Sequence, residues 1–371
     1  MPRRVAVTGT RGKSGVTRLV AAGLRASGAR VLAKTTGSKP VLILPDGSER
    51  EIARPGGASI REQVRLVRLA AELGADTLVS EMMSIGSECL AAESGRILRP
   101  GTLAVTNIRL DHLDDMGRSI DAVARTMAAA VPAKATVLLP REELHPAFEV
   151  AAARNGSILR PLGPAEARPP GGGDRRPPLG EFEPNVRLAA AVLASLGLDE
   201  AASRRGLAGA APDFGALRAW RGRFGSRGLQ AVCVSAFAAN DPASSAAALD
   251  RVRERLPLEG RPLVGLLCLR EDRGDRTLQW IGAAAEGFFR DFTAVVIAGP
   301  TSRAALARFR KAAREARDRF SRFAGRDPAG LMDRVLAAAE REPVVVGLGN
   351  IAGWGERLVR HWSEKGTVHD P

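Results

Sequence analysis

The chain has 371 residues, with 55 Lys and Arg against 41 Asp and Glu and a formal charge of +14. That length gives two domains, each able to bury its own core, and 45% hydrophobic with 26% charged residues excludes general disorder. No run of about 18 apolar residues occurs, which excludes a membrane-spanning helix; three scattered cysteines (Cys89, Cys233, Cys268) and four histidines argue against a structural zinc site and suit a reducing cytoplasm. Met1-Pro-Arg-Arg-Val leads straight into a strand pattern, so no cleavable leader is expected. Of the basic residues 49 are Arg and six are Lys, and Tyr is absent. Codon bias in a GC-rich genome would produce that skew unaided, so net charge alone does not select a polyanionic partner.

Short apolar runs alternate with helical patterns throughout. Arg4–Thr8 reads as a strand and Ser14–Ala26 as a helix with Val16, Leu19, Val20 and Leu24 inward. Val31–Thr35 is a second strand, Val41–Ile52 a hairpin broken at Pro45-Asp46-Gly47, and Ile60–Leu73 a helix leading to strand Asp76–Ser80. Further strands fall at Gly101–Thr106, Ala135–Leu139 and Ser157–Leu159. The stretch from 161 to 184 is too rich in Pro and Gly for an ordered element and reads as a loop, after which Asn185–Leu196 is helical. A second series begins near Leu217–Arg227, with strands at Gln230–Ser235, Leu263–Cys268, Ala294–Ala298 and Val344–Val346. The spacing predicts an α/β protein: a P-loop-type, mostly parallel sheet domain over residues 1–216, then a smaller Rossmann-like α/β domain over 217–371.

The first strand runs into Thr8-Gly9-Thr10-Arg11-Gly12-Lys13-Ser14, and a helix follows at once. Glycines permit a tight backbone cradle, and the helix start offers free N–H groups and a favourable dipole to phosphate. Lys13 would reach the outer phosphates of ATP, and the Ser14 hydroxyl would ligate Mg²⁺. The full GxxxxGK[ST] pattern is not met, because Val7 stands where its first glycine belongs.

The short form T-G-T-x-G-K-S resembles the ATP loop of the Mur ligase superfamily. Other segments fall into step with it. Glu81, in Ser80-Glu-Met-Met-Ser84, matches the family's magnesium-binding Glu. Thr106-Asn107-Ile-Arg-Leu-Asp111-His112 is similar to the T-N-x-x-x-D-H signature, which implies His112 as ligand of a second Mg²⁺ and Asn107 as part of the ATP site. The carbamylated lysine of several members is missing: Met127 lies at that spacing. Trp220-Arg-Gly-Arg223-Phe resembles the P-G-R segment, implying a phosphate contact for Arg223. Phe237-Ala-Ala-Asn240-Asp241-Pro resembles another ATP-contacting segment, though Asn240 and Asp241 also suit a helix cap.

The whole set, including Lys34-Thr35-Thr36-Gly and Arg273-Gly-Asp-Arg276-Thr as substrate candidates, is most similar to the ligase subunits of poly-γ-glutamate synthases (the CapB/PgsB type) over residues 4–362. The resemblance implies ATP and Mg²⁺ as cofactors, and an acyl phosphate formed at ATP held between the domains. It implies glutamate and poly-γ-glutamate as substrates, and small membrane subunits as partners at the inner face of the membrane. A homo-oligomer stays open. Folate, cyanophycin-type and cell-wall ligases are rivals within the fold, and a nucleotide-regulated nucleic-acid-binding protein is the rival from another class. Few aromatics (4%) and no Tyr make nucleic acid the weaker reading. Residues 302–326 carry nine bases and two acids, half the net charge, and Leu306, Phe309, Ala313, Ala316, Phe320 and Phe323 recur at helical spacing. One basic amphipathic helix is expected there, facing a solvated surface, anionic lipid or the acidic polymer.

Overall fold

The computed structural model describes residues 3–37, 39–54, 57–163, 179–180, 182–256, 258, 260–339 and 341–370. Most of the expected Pro/Gly loop, including 169–177, lies outside them. The chain divides into two compact units, one of residues 1–177 and 181–214, the other of 178–180 and 215–371.

In the first unit eight strands form one sheet: β1 (Arg3–Thr8), β2 (Val31–Thr35), β3 (Val41–Ile43), β4 (Glu49–Glu51), β5 (Thr77–Glu81), β6 (Thr102–Val105), β7 (Thr136–Pro140) and β8 (Ile158–Leu162). Their order is β4-β3-β2-β5-β1-β6-β7-β8, parallel except that β3 is antiparallel to both β2 and β4 at the edge. β1 is central because Val5, Ala6 and Val7 are apolar on both faces, as a strand covered twice must be. The helix Lys13–Ala26 packs its Val16, Leu19, Val20 and Leu24 stripe on that sheet and against the helices Glu183–Ser195 and Glu200–Ala208. Here backbones nearly touch: a Cβ on Gly206 would lie 2.3 Å from Gly23 Cα, and one on Gly23 would lie 2.3 Å from Leu193 Cδ1.

The second unit holds β9 (Arg218–Phe224), β10 (Leu229–Ser235), β11 (Leu263–Cys268), β12 (Ala294–Ala298), β13 (Phe320–Arg322), β14 (Val344–Gly349) and β15 (Gly366–Val368), in the order β13-β12-β11-β14-β10-β9-β15. β10 to β14 run parallel, and β9 is antiparallel to β10. The mostly parallel two-sheet architecture is the one that the sequence pattern predicts.

The single basic helix expected over 302–326 is not formed. The helix Ser302–Ala312 ends, a 3₁₀ turn covers Arg314–Arg319, and the chain enters edge strand β13. The apolar residues still go inward, by another route. Phe309 and Phe320 are buried and stacked, with ring centroids 5.5 Å apart, while Phe320–Arg322 pairs with Val295–Ile297. The Arg310 guanidinium donates to the Phe320 carbonyl at 2.8 Å, and Arg319 donates to the carbonyls of Phe289, Arg290 and Phe292. Completing the sheet edge and the aromatic cluster outweighs continuing a helix whose outer face would stack Arg on Arg.

Candidate active site

Three loops leave the carboxyl ends of β1, β5 and β6, the edge where parallel sheets bind ligands. After β1 the chain turns at Gly9 (φ +132°) and Gly12 (φ +81°), left-handed positions that only glycine takes without strain. Space demands glycine as well: a Cβ on Gly9 would stand 1.8 Å from Thr106 Oγ1, and one on Gly12 would stand 2.6 Å from Asn185 Oδ1.

The loop after β6 is bonded to this turn at almost every group. Thr106 Oγ1 donates to the Arg11 carbonyl at 2.6 Å, and Asn107 Nδ2 to the same oxygen at 3.1 Å. Asn107 Oδ1 accepts from Thr10 Oγ1 at 2.7 Å and from the Arg11 N–H at 3.0 Å. Arg11 itself reaches across to Asp111 at 2.6 Å. Glu143, nearly buried, accepts from the Ile108 N–H at 3.0 Å and pairs with Arg109 at 2.6 Å, fixing the middle of the loop. His112 follows with positive φ (46°), its Nε2 3.8 Å from Asp111 Oδ2, at the head of the helix Leu113–Met116.

Lys13 Nζ folds back to donate to the Gly9 carbonyl at 2.7 Å. Lost hydration lowers the Lys13 pKa below the ordinary lysine value; the Glu81 and Asp111 charges act against this, and Arg11 acts with it. Ser14 Oγ donates to Glu81 Oε2 at 2.7 Å, and the Thr36 N–H donates to that oxygen at 2.7 Å. A buried carboxylate beside a hydroxyl is a hard-oxygen donor set suited to Mg²⁺. Among the described residues no group of three or more His, Cys, Asp and Glu could hold a metal. A cation here would therefore complete its shell from phosphate and water, the usual arrangement for Mg²⁺. At the spacing of the family's carbamylated lysine, Met127 is fully buried beside Val123, Ala124 and Phe148, so that position offers no ligand.

Lys34 and Thr35 end β2, and Thr36 follows it. Lys34 turns away from solvent into a buried layer, 3.1 Å from Glu62, which also pairs with Arg54 at 2.7 Å. Desolvation lowers the Lys34 pKa against the pull of Glu62. In the same layer Gln63 donates to the Glu81 carbonyl at 3.0 Å and to Glu93 at 2.6 Å, while Glu93 accepts the N–H groups of Met83 and Ser84. Sequence reasoning missed Gln63, Glu93, Glu143 and Asn185, because each acts on the loops from a distant element.

In the second unit Asn240 (φ +61°) and Asp241 follow β10; Asp241 caps its helix by accepting from the Ser244 N–H at 2.8 Å, and Trp280 Nε1 donates to the Asn240 carbonyl at 3.2 Å. Arg273 and buried Arg276 begin the helix after β11. Arg223 stands elsewhere. It pairs with Gln230 near the start of β10, whereas Arg218 pairs with Ser235 at its end, five residues and about 16 Å away on the Asn240 side. The R-G-R segment thus has its second arginine at the end of β9 away from Asn240 and Asp241.

Comparison with known proteins identifies the fold and the family. Residues 7–136 match the Mur ligase middle domain, and residues 222–365 match the poly-gamma-glutamate synthase CapB C-terminal domain. The chain is 31% identical over 368 residues to the capsule biosynthesis protein CapB of Bacillus anthracis, covering 97% of this chain and 76% of that one. It is 28% identical over 369 residues to the PGA synthase CapB of Bacillus subtilis (strain 168), covering 97% and 90%. E. coli FolC in complex with DHPP and ADP shares the fold, with a TM-score of 0.66 at 19% identity over 98% of this chain and 88% of that chain. The chain belongs to the CapB family, within the Mur-type ligases.

Proposed function

We infer that the protein is an ATP-dependent carboxylate–amine ligase that adds glutamate to a poly-γ-glutamate chain. A substrate carboxylate oxygen attacks the γ-phosphorus of ATP, ADP leaves, and an acyl phosphate forms. The amine of the second substrate then attacks the acyl carbon; the C–O bond breaks, phosphate departs, and the amine gives up a proton. Lys13 would leave the Gly9 carbonyl to hold the outer phosphate oxygens, while the loop N–H groups take the others. Bound at Ser14 and Glu81, Mg²⁺ would neutralise charge on the β- and γ-phosphates. Asn107 and the Arg11–Asp111 pair keep the His112 loop docked on the phosphate loop. In the second unit Asn240, Asp241, Arg273 and Arg276 are the ligand-edge candidates, and Arg218 is a better phosphate contact than Arg223.

The observation that carries this reading is the Ser14–Glu81 hydrogen bond, which places hydroxyl and carboxylate together beside Lys13. The test is ATP-dependent hydroxamate formation with glutamyl substrates and hydroxylamine, comparing wild type with Lys13→Ala. Wild type is expected to form hydroxamate and the variant to lose about 10³-fold. No hydroxamate with any glutamyl acceptor, in the presence of partner subunits, would overturn the reading. Use of a pteroate acceptor instead would assign the site to the folate branch. No helix among the described residues is long and apolar enough to cross a membrane.

A further inference from the structure

The remaining unexplained feature is the basic segment 302–326, which the structure turns from a helix into the wall of a groove. The groove, of about 560 Å³, lies between residues 284–290 and 312–319, with Arg290, Arg314 and Arg319 against Glu286 and Glu315. Its position is informative. These segments precede β12 and β13, whereas Asn240, Asp241 and Arg273 follow β10 and β11, and all four strands run parallel. The groove is thus on the amino edge of the sheet, opposite the unit's candidate ligand edge.

The segment that forms one wall also concentrates exposed cations. Elsewhere the pattern is mixed: Arg125, Arg204 and Arg360 have an acid one turn away, whereas exposed Arg154 and Arg205 have none. In 302–326, Arg303, Arg308, Lys311, Arg314 and Arg322 are exposed with no carboxylate partner among the described residues. Arg310 and Arg319 donate to backbone carbonyls, and Arg290 Nε donates to the Gly287 carbonyl at 3.3 Å, so these three hold the wall in shape while keeping their charge; Arg314 in the lining and Lys311 near it in sequence have no carboxylate partner among the described residues.

We propose that this groove is an exosite for the acidic polymer: it holds poly-γ-glutamate, one carboxylate per residue, away from the reacting end. The proposal rests on the ligase reading for the polymer's identity. A polyanion on clustered cations gains by releasing condensed counterions, so the hold should be strong at low salt and fade as salt rises.

The full-length protein is compared with R290Q/K311Q/R314Q, using labelled poly-γ-glutamate of some fifty residues without ATP, a diglutamyl acceptor with ATP, and phosphatidylglycerol vesicles. The expected result is about tenfold weaker polymer binding with a shallower salt dependence, and a higher KM for the long acceptor. The KM for ATP and turnover of the short acceptor should not change. Arg290→Lys/Arg314→Lys should keep the binding, and the single change Arg314→Gln serves if the triple variant is less stable. Unchanged polymer binding would overturn the proposal, as would an equal loss on the short acceptor. Loss of vesicle binding alone would assign the face to lipid and overturn it too. Because polymer binding is read without ATP, failure of the ligase reading would appear separately, as absent hydroxamate.

Discussion

The carboxyl edges of the two sheets are built differently. In the first, the loops after β1, β5 and β6 are bonded to one another: Thr10 and Arg11 to Asn107 and Asp111, Ser14 and Thr36 to Glu81. In the second, charged side chains serve their own segments: Asp241 caps its own helix, and exposed Arg270 pairs with Asp272 two residues on. An edge cross-linked in this way presents its donors already aimed and has little order left to gain on binding. The second edge is tied across segments by the Trp280 Nε1 bond to the Asn240 carbonyl, with its other named contacts local.

Substitutions can break that contrast, and the largest effect is expected at Glu81. Glu81→Gln keeps the shape but removes the charge shared by Ser14 and Thr36; ADP release should fall on the order of 10²-fold and half-saturation should need more Mg²⁺. Asp111→Asn and Arg11→Gln should each cost about tenfold, as supporting contacts of a metal site do. Because each removes the same ion pair, the double variant should be little worse than either single one, and additive losses would show that the pair does not act as a unit. On the second sheet, Arg218→Ala should raise the KM for ATP about tenfold, the scale of one charge-assisted hydrogen bond. Arg223→Ala should leave it within about twofold; the opposite ranking would return the phosphate contact to the start of β10.

The smallest effect concerns stability and pH. Burial would raise the Glu62 pKa, but the hydrogen bond from Arg54 and the charge of Lys34 override it and hold it below the ordinary 4.5. The folded protein thus binds this proton less readily than the unfolded chain does. The stabilisation is complete above about pH 4.5 and is lost as pH falls through the folded value. Urea midpoints should drop over that acid window in wild type, and less steeply in Glu62→Gln, which starts lower at pH 7 because Lys34 keeps its burial without its partner. Equal slopes would remove Glu62 from the account.

What could be read in the sequence was local or periodic. The Gly9–Ser14 turn is contiguous, and β1, β5 and β6 are apolar runs, so the strand-end positions of Lys13, Glu81 and Asn107 could be inferred. Contacts that bridge long separations could not. Asn185 meets Gly12 from a helix beyond the Pro/Gly stretch, and Gln63 reaches Glu81 from the first turn of another. Arg218 and Arg223 are distinguished only by the register of β9 on β10. For residues 302–326 the helical spacing of Phe309, Ala313 and Phe320 was real, but a stacked aromatic pair and a sheet edge satisfied it differently.

The glycine contact behind the phosphate loop has a mechanical consequence. Gly12 and Gly23 sit at opposite ends of one rigid rod, eleven residues and about 16 Å apart. At the far end, Gly206 sets how close the rod lies to its neighbour; even a methyl group there would meet Gly23 Cα at 2.3 Å. Adding that methyl would pivot the rod and lift its near end from Asn185 and Thr106, far from any atom that touches nucleotide. The placement of the Gly9–Ser14 turn therefore depends on a residue whose only contribution is the side chain it lacks.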